Sequence, residues 1–121
     1  LYDGGRNAKV FETFADPFGE NPIVKRGNSV ISFCSHAGIL YGLDYYSNIF
    51  DTMNNTNIAK ENHPLVSFLL SHAGKLIDIR CYTIGVKSGI AGIYDTLQDQ
   101  AIFSDENLKI TAICSHKRLV E

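Results

Sequence analysis

The sequence lacks any long uninterrupted apolar run, so no segment is long enough to span a membrane, and no signal-peptide pattern is present. It also lacks a basic stripe. Lys and Arg are scattered among a slight excess of acidic residues, and the net charge is −2. A long nucleic acid is therefore disfavoured as a partner, although a nuclease with a small site would not need such a stripe.

Cysteine is scarce. Cys34, Cys81 and Cys114 cannot all pair with one another, and their wide spacing shows no disulfide framework. We therefore expect reduced thiols, which suggests a reducing compartment at the site of action, and at least one thiol could be reactive. The sequence begins with Leu1 instead of Met, so we expect a fragment of a longer chain.

The remaining composition is that of an ordinary globular domain. The chain has 121 residues, of which 45% are hydrophobic and 20% are charged. This length is close to the usual domain size and is sufficient to bury a core. We expect a single domain over residues 1–121.

The hydrophobic pattern predicts an α+β fold, a small antiparallel sheet with two or three helices packed on it. Runs rich in strand-forming residues predict strands at Val30–Cys34, Ile39–Tyr41, Tyr45–Phe50, Ile77–Ile84 and Leu108–Cys114. Apolar residues three and four apart predict a short helix around Val10, a helix from Pro64 to Leu76, and a helix from Ile90 to Ala101 with Ser88 as its cap.

The first three strands carry the main candidate site. Gly42 and Asp44 give a turn signal, and a hairpin that turns at Gly42 places His36 opposite Asn48 on one face. An amide oxygen beside an imidazole can fix its tautomer and leave the other ring nitrogen free as a general base. The alternative is that His36 is a hydrogen-bonded structural residue.

The string Ser-His-Ala-Gly occurs twice, beginning at Ser35 and at Ser71. The residues before Ser35 have a strand pattern and those before Ser71 have a helical one. This difference argues against a repeat. On the predicted helix His72 lies on the apolar face, where a structural role is expected, and Cys81 is expected to be an inert buried thiol.

Residues 27–48 resemble the permuted papain-like family of the lecithin:retinol acyltransferase type. Gly27-Asn28 matches the start of its His box, His36 matches the first His, and Asn48 stands where the family has its second His. Ile113-Cys114-Ser115-His116 is similar to the later Asn-Cys box, with Ile113 in place of Asn. The resemblance implies a thiol hydrolase or acyl-transfer domain with Cys114 as the nucleophile.

A second layout resembles ADP-ribosyltransferase and related NAD-cleaving toxin domains. It combines Leu1-Tyr2-Asp3-Gly4-Gly5, the Ser32–Ser35 strand and the Gln98–Phe103 segment before a terminal strand. Asp3 stands where that family has Arg or His, and Gln100 or Asp99 stands where it has Glu. This resemblance implies an atypical or inactive toxin or effector domain.

The hypothesis that combines these observations is a thiol enzyme. Cys114 attacks an ester or amide carbonyl, His36 deprotonates the thiol and Asn48 orients the imidazole; Cys34 and His116 are further candidates. It requires no cofactor or metal, and its substrate would be a small molecule, a lipid or a peptide.

Three other interpretations stay open. One is a zinc site formed by Cys34-x-His36 and Cys114-x-His116. Another is a toxin nuclease that uses His as acid and base on RNA. The third is a non-catalytic interaction module with a protein partner.

Overall fold

The structure, a computed structural model, describes residues 2–4, 9–13, 15, 18–26, 29–58, 65–81 and 90–117. The regular secondary structure of these residues consists of β-strands, and all strand pairs among them are antiparallel. The expectation of an α+β fold was therefore wrong. The fold is all-β, with three sheets.

The N-terminal sheet contains β1 (Tyr2–Gly4), β2 (Lys9–Glu12) and β3 (Val24–Lys25). The first meander sheet contains β4 (Val30–His36), β5 (Ile39–Asp44), β6 (Ile49–Asp51) and β7 (Thr56–Asn57). The second meander sheet contains β8 (Leu65–His72), β9 (Lys75–Cys81), β10 (Gly92–Asp95) and β11 (Gln100–Ser104). In each meander sheet consecutive strands are neighbours.

Residues expected to form the helix from Pro64 to Leu76 instead form β8 and the start of β9. The pairing of β8 with β9 shifts between Val66 and Phe68, which is a β-bulge. The extra residue puts the buried side chains of Val66 and Leu69 three positions apart instead of two. A bulged strand therefore reproduced the spacing of a helix, while Pro64 itself lies outside the described residues.

The other expected helices are also absent from the described residues. The segment expected to be helical from Ile90 to Ala101 forms β10, a turn and the start of β11; Ser88, its expected cap, lies outside the described part. Val10 is fully buried on β2, not on a helix. Strand-forming Ile, Tyr and Phe on both sides of the turn at residues 96–99 are consistent with a hairpin there.

The expected adjacency of the strands around residues 30–50 is confirmed, because β4 pairs with β5 and β5 pairs with β6. The turn expected at Gly42 was placed wrongly, because β5 continues to Asp44 and the turn before β6 is at residues 45–48. The chain reverses at Ala37 and Gly38, whose φ values are 49° and 78°, and His36 pairs with Ile39. Two successive positive φ values are the geometry of a type I′ hairpin turn. Gly42 lies within β5, where the ring of Phe50 covers it and leaves no room for a β-carbon.

The hairpin β8–β9 repeats the hairpin β4–β5, so the expectation of no repeat was wrong. Its turn residues Ala73 and Gly74 have the same φ values, 49° and 78°. Its bulge at Val66 occupies the place of the bulge at Val30 in β4, six residues before the histidine in each case. Ser71-His72 thus stands in the same structural position as Ser35-His36.

The third and fourth strands of the two meander sheets also correspond. The third strands end in similar sequences. These are Ile49-Phe50-Asp51-Thr52 at the end of β6 and Ile93-Tyr94-Asp95-Thr96 at the end of β10. The backbone N–H of Thr52 donates to the carbonyl of Leu40, and that of Thr96 donates to the carbonyl of Leu76, at 3.0 and 2.8 Å. Each meander sheet is therefore one copy of the same four-stranded unit.

The expected terminal strand Leu108–Cys114 is not a strand in the structure; these residues make no ladder and are mostly exposed. The sequence nevertheless repeats the first strand of the unit, because Cys34-Ser35-His36 returns as Cys114-Ser115-His116. We call the three Ser-His strings, at Ser35, Ser71 and Ser115, the first, second and third Ser-His strings.

The main core joins the two meander sheets. It is built from Tyr41, Leu43, Ile49, Val66, Leu69 and Leu76, with Cys34 and Ile58 packed against it. A smaller cluster of Val10, Val24 and Phe50 attaches the N-terminal sheet. Burial of apolar side chains from two sheets is the main stabilising contribution in such a fold.

Candidate functional site

His36 is a buried residue at the end of β4, with 8% of its surface exposed. Its Nδ1 atom is hydrogen-bonded to the hydroxyl of Ser71 on β8 at 2.8 Å. His36 therefore connects the first meander sheet to the second, which is a structural use of the imidazole.

Asn48 does not orient His36. Its backbone N–H and its side-chain amide both donate to the carboxylate of Asp44, at 2.9 and 3.0 Å. Within the described residues no hydrogen bond joins His36 and Asn48. The physical reason is the position of the turn, since β4 pairs with β5 around Ala37 and Gly38, and residues 45–48 form a separate turn.

Cys114 lies in a different neighbourhood from the one expected. It lines a cavity of about 400 Å³ together with His72 and Lys75. The cavity walls are apolar and come from Leu70, Ile77, Ile93, Ile102 and Ile113. We call this space, between the second meander sheet and the segment that carries Cys114, the Cys114 cavity.

His72 is held at the rim of the Cys114 cavity by the third Ser-His string. Its Nδ1 atom is hydrogen-bonded to the hydroxyl of Ser115 at 2.7 Å. Lys75 lies opposite His72 in the hairpin, and its Nζ is 3.9 Å from a carboxylate oxygen of Asp95. The Lys75 side chain is 55% exposed, so its charge stays accessible.

Cys34, Cys81 and His116 do not line the Cys114 cavity. Cys34 is half-buried against the main core, and this burial raises the pKa of its thiol. Cys81 is also half-buried and its Sγ accepts a hydrogen bond of 3.1 Å from the hydroxyl of Ser67. His116 is exposed.

The structure does not assemble the zinc site considered from the sequence. Among the described residues, no three or more His, Cys, Asp or Glu side chains are grouped so that they could hold a metal ion. Asp99 and Gln100, which were compared with the glutamate of the toxin family, lie in a turn and on an exposed strand. Asp99 is in the turn after β10 and accepts a hydrogen bond from Arg80, and Gln100 begins the exposed strand β11.

Gly27-Asn28, the expected start of the papain-like His box, lies outside the described residues, as do Tyr82 to Ile84 of the strand expected from Ile77.

A second cavity, of about 460 Å³, lies where the two meander sheets meet. Tyr45 and Tyr46 are exposed on one side of it, with their rings in an edge-to-face arrangement at 5.7 Å. Both of its serines already have hydrogen-bond partners, because the Ser47 hydroxyl accepts the backbone N–H of Val66 at 2.9 Å and the Ser67 hydroxyl donates to Cys81 Sγ. This cavity thus offers apolar and aromatic surface but, unlike the Cys114 cavity, no lysine, histidine or cysteine.

Of the residues that line the Cys114 cavity, Cys114 was expected from the sequence to be functional, but His72 and Lys75 were not. His72 was assigned to the apolar face of a helix, and Lys75 was not considered. The available signal was the second Ser-His-Ala-Gly string, because two equal strings with equal turn residues indicate two equal hairpins.

Comparisons with known proteins assign no family to this chain: no protein-family model, no curated protein and no solved structure matches it. In the part of the chain that the structure describes, no helix has the length and apolar character needed to cross a membrane.

Proposed function

We propose that this chain is a binding module whose ligand is a small molecule with an apolar body and an anionic end. The observation that carries the proposal is the Cys114 cavity. Its volume of about 400 Å³ and its isoleucine- and leucine-rich walls suit the body of such a ligand. Small-molecule sites are typically apolar cavities with a few polar groups that fix the ligand's orientation.

His72 and Lys75 give the cavity its preference for an anion. Both lie at the rim, on opposite strands of one hairpin. The Lys75 ammonium group is 3.9 Å from a carboxylate oxygen of Asp95, a weak and partly exposed ion pair. A carboxylate or sulfonate at the rim can replace that contact and accept a hydrogen bond from the ammonium group.

The experiment is a titration with 1-anilinonaphthalene-8-sulfonate, which has an apolar body and an anionic end, followed by its fluorescence. We expect saturable binding that Ile113→Asp weakens about tenfold or more, because a charge in the apolar wall opposes the naphthalene ring. Ile31→Asp is the matched control, since Ile31 is also an exposed isoleucine but lines the other cavity. Equal loss in the two variants contradicts the proposal.

The role of the rim is tested separately. Lys75→Ala should weaken the anionic probe several-fold while leaving its uncharged analogue N-phenyl-1-naphthylamine unchanged. A loss of affinity for both probes would indicate a change of the cavity shape and not of its charge.

A thiol-dependent hydrolase or acyl transferase is the second candidate, and one observation favours it. Cys114 and His72 line the same cavity, so the base would be His72 instead of His36. In the reaction, His72 accepts the thiol proton, Cys114 Sγ bonds to the carbonyl carbon, and the alcohol or amine leaves with that proton. Water then cleaves the thioester.

Thiol labelling separates this candidate from the binding module. A nucleophile at position 114 should react with iodoacetamide at neutral pH much faster than Cys34, whose raised pKa keeps it protonated. Hydrolysis of p-nitrophenyl butyrate should disappear in Cys114→Ser and persist in Cys34→Ser. If the wild type shows no hydrolysis above that of Cys114→Ser, the enzyme hypothesis fails and the binding module stands.

A further inference from the structure

The turn between β5 and β6 is fixed by hydrogen bonds. Every backbone N–H group from Asp44 to Asn48 donates one, and three of them are accepted by Asp44, two by its carboxylate and one by its carbonyl. Asp44 is fully buried, and Arg26 also binds its carboxylate. A turn whose amide groups all have partners is already ordered, so a ligand that binds it does not have to order it.

This turn carries two exposed aromatic side chains, Tyr45 and Tyr46, which are 68% and 62% exposed. Their ring centres are 5.7 Å apart and the ring planes make an angle of 74°, so the two rings form a corner. Ser47 follows them with φ of 64°, and its hydroxyl fastens the turn to Val66 of β8 at 2.9 Å. The two rings therefore stand on a turn that is fixed within the first meander sheet and attached to the second.

The second cavity, of about 460 Å³, lies beside this corner, and we call it the tyrosine cavity. Its other walls are the apolar side chains of Ile31, Leu65 and Val66 and the two serines, Ser47 and Ser67. Among the described residues that line it, none carries a charge. A group bound there meets apolar side chains, aromatic rings and hydroxyls that already have partners, but no counter-charge.

These surroundings favour one kind of charged group. The face of an aromatic ring is electrostatically negative, so it attracts a cation and does not attract an anion. A primary ammonium group would give up hydrogen bonds to water on entering, and burial of a donor without a new partner is costly. A quaternary ammonium group has no N–H, and its charge is spread over alkyl groups that suit an apolar wall. Aromatic rings are the usual lining of sites for such groups.

We propose that the tyrosine cavity binds a small molecule that carries a quaternary ammonium group. The ammonium lies in the corner between Tyr45 and Tyr46, and the apolar remainder of the molecule lies against the isoleucine, leucine and valine of the other wall. This cavity shares no lining residue with the Cys114 cavity, and the charges that suit the two cavities are opposite. The inference therefore does not rest on the proposed function.

The experiment is a titration of the 121-residue chain with choline up to about 50 mM, followed by the NMR signals of the tyrosine rings. Its uncharged analogue 3,3-dimethylbutan-1-ol has the same shape, and ethanolamine carries the charge on a primary ammonium group. We expect saturable shifts with choline and an affinity about fivefold or more above that of either analogue. Equal affinity for either analogue, or no saturable shift with choline, overturns the proposal.

Variants of one ring separate its face from its hydroxyl. Tyr45→Leu keeps an apolar side chain but removes the ring, and should lower the affinity for choline about fivefold or more, whereas Tyr45→Phe should stay within about twofold of the wild type. Tyr2→Leu is the matched control, because Tyr2 is an exposed tyrosine on β1 that does not line the cavity, and it should bind as the wild type does. A Tyr45→Phe variant as weak as Tyr45→Leu contradicts the proposal.

The headgroup of a lipid can supply the same quaternary ammonium chemistry. Co-sedimentation of the wild type with phosphatidylcholine vesicles, abolished by Tyr45→Leu, would assign the ligand to a lipid and overturn the assignment to a small molecule. Binding of choline without co-sedimentation supports that assignment.

Discussion

The two meander sheets share a backbone but hold their buried charges in different ways. The aromatic residue on the third strand is equivalent in the two sheets, Phe50 opposite Gly42 and Tyr94 opposite Asp78. In both sheets an arginine guanidinium lies 3.9 Å from the centre of that ring. A cation over an aromatic face is favourable, and its repetition marks a common requirement of the unit.

The two arginines reach their rings from different places. Arg80 belongs to β9, and its neighbour Asp78 is on the same strand, so the pair is internal to the sheet at 2.7 Å. Arg26 precedes the first meander sheet and reaches Asp44 at 3.2 Å from outside it. Asp44 occupies the position in β5 that Arg80 occupies in β9, so an acid stands in one sheet where a base stands in the other, and Gly42 stands in the position of Asp78.

The two carboxylates differ in how much of their charge is compensated by the arginine beside them. Asp44 also accepts two backbone N–H groups and an amide from the turn that follows it. Asp78 accepts, besides Arg80, the hydroxyl of Thr96 at 2.7 Å. Asp78 therefore depends on its arginine for more of its charge compensation than Asp44 does.

The largest expected effect comes from removing Arg80. Arg80→Met leaves the carboxylate of Asp78 fully buried with, among the described residues, only the Thr96 hydroxyl as donor, which should lower the free energy of unfolding by about 3–5 kcal/mol. Arg26→Met should cost less, about 1–3 kcal/mol, because three donors of the turn stay on Asp44. Urea denaturation followed by far-UV circular dichroism measures both variants, and an equal loss would show that the two sheets are not different in this respect.

A smaller effect is expected from Gly42→Ala. Gly42 faces Phe50 so closely that a β-carbon would overlap the ring, and displacing the ring also disturbs the Arg26 stack. Overpacking of this kind should lower the free energy of unfolding by about 1–3 kcal/mol. Gly42→Ala combined with Phe50→Leu should recover part of the loss in the same denaturation experiment, whereas no recovery would place the cost in the backbone instead.

The sequence predicted well what depends on short stretches of strand-forming residues. The expected strands at Val30–Cys34, at Ile39–Tyr41 and beginning near Ile77 are present, and the one expected at Tyr45–Phe50 is shortened to β6; the first three of the chain's expected strands are adjacent and antiparallel. It failed where a local irregularity changed the period. The bulge at Val66 moved buried residues from two positions apart to three, and this spacing was interpreted as a helix.

That single error also hid the repeat and the site. With a helix expected before Ser71, the second Ser-His-Ala-Gly string could not be recognised as a second hairpin, and His72 was treated as a core residue. Contacts between distant segments, such as His36 with Ser71, depend on how the sheets pack. Periodicity within one strand carries no information about such contacts.

The equivalence of the two hairpins can be tested at their turns, where the smallest effect is expected. Ala37 and Ala73 both have φ of 49°, a left-handed conformation that a β-carbon disfavours. Asn adopts this conformation more readily and is common before Gly in type I′ turns, so Ala37→Asn and Ala73→Asn should each raise the free energy of unfolding by about 0.5–1 kcal/mol.

The test compares the gain in unfolding free energy of Ala37→Asn with that of Ala73→Asn, and the sum of the two with the gain of the double variant. Because the turns have the same geometry and lie in separate hairpins, the two gains should be equal within error and should add. Thermal unfolding of both single variants and the double variant measures this. A gain in one hairpin alone would mean that the histidine next to the other turn resists the change, and the hydrogen bonds of His36 to Ser71 and of His72 to Ser115 would then be unequal in effect despite their similar lengths.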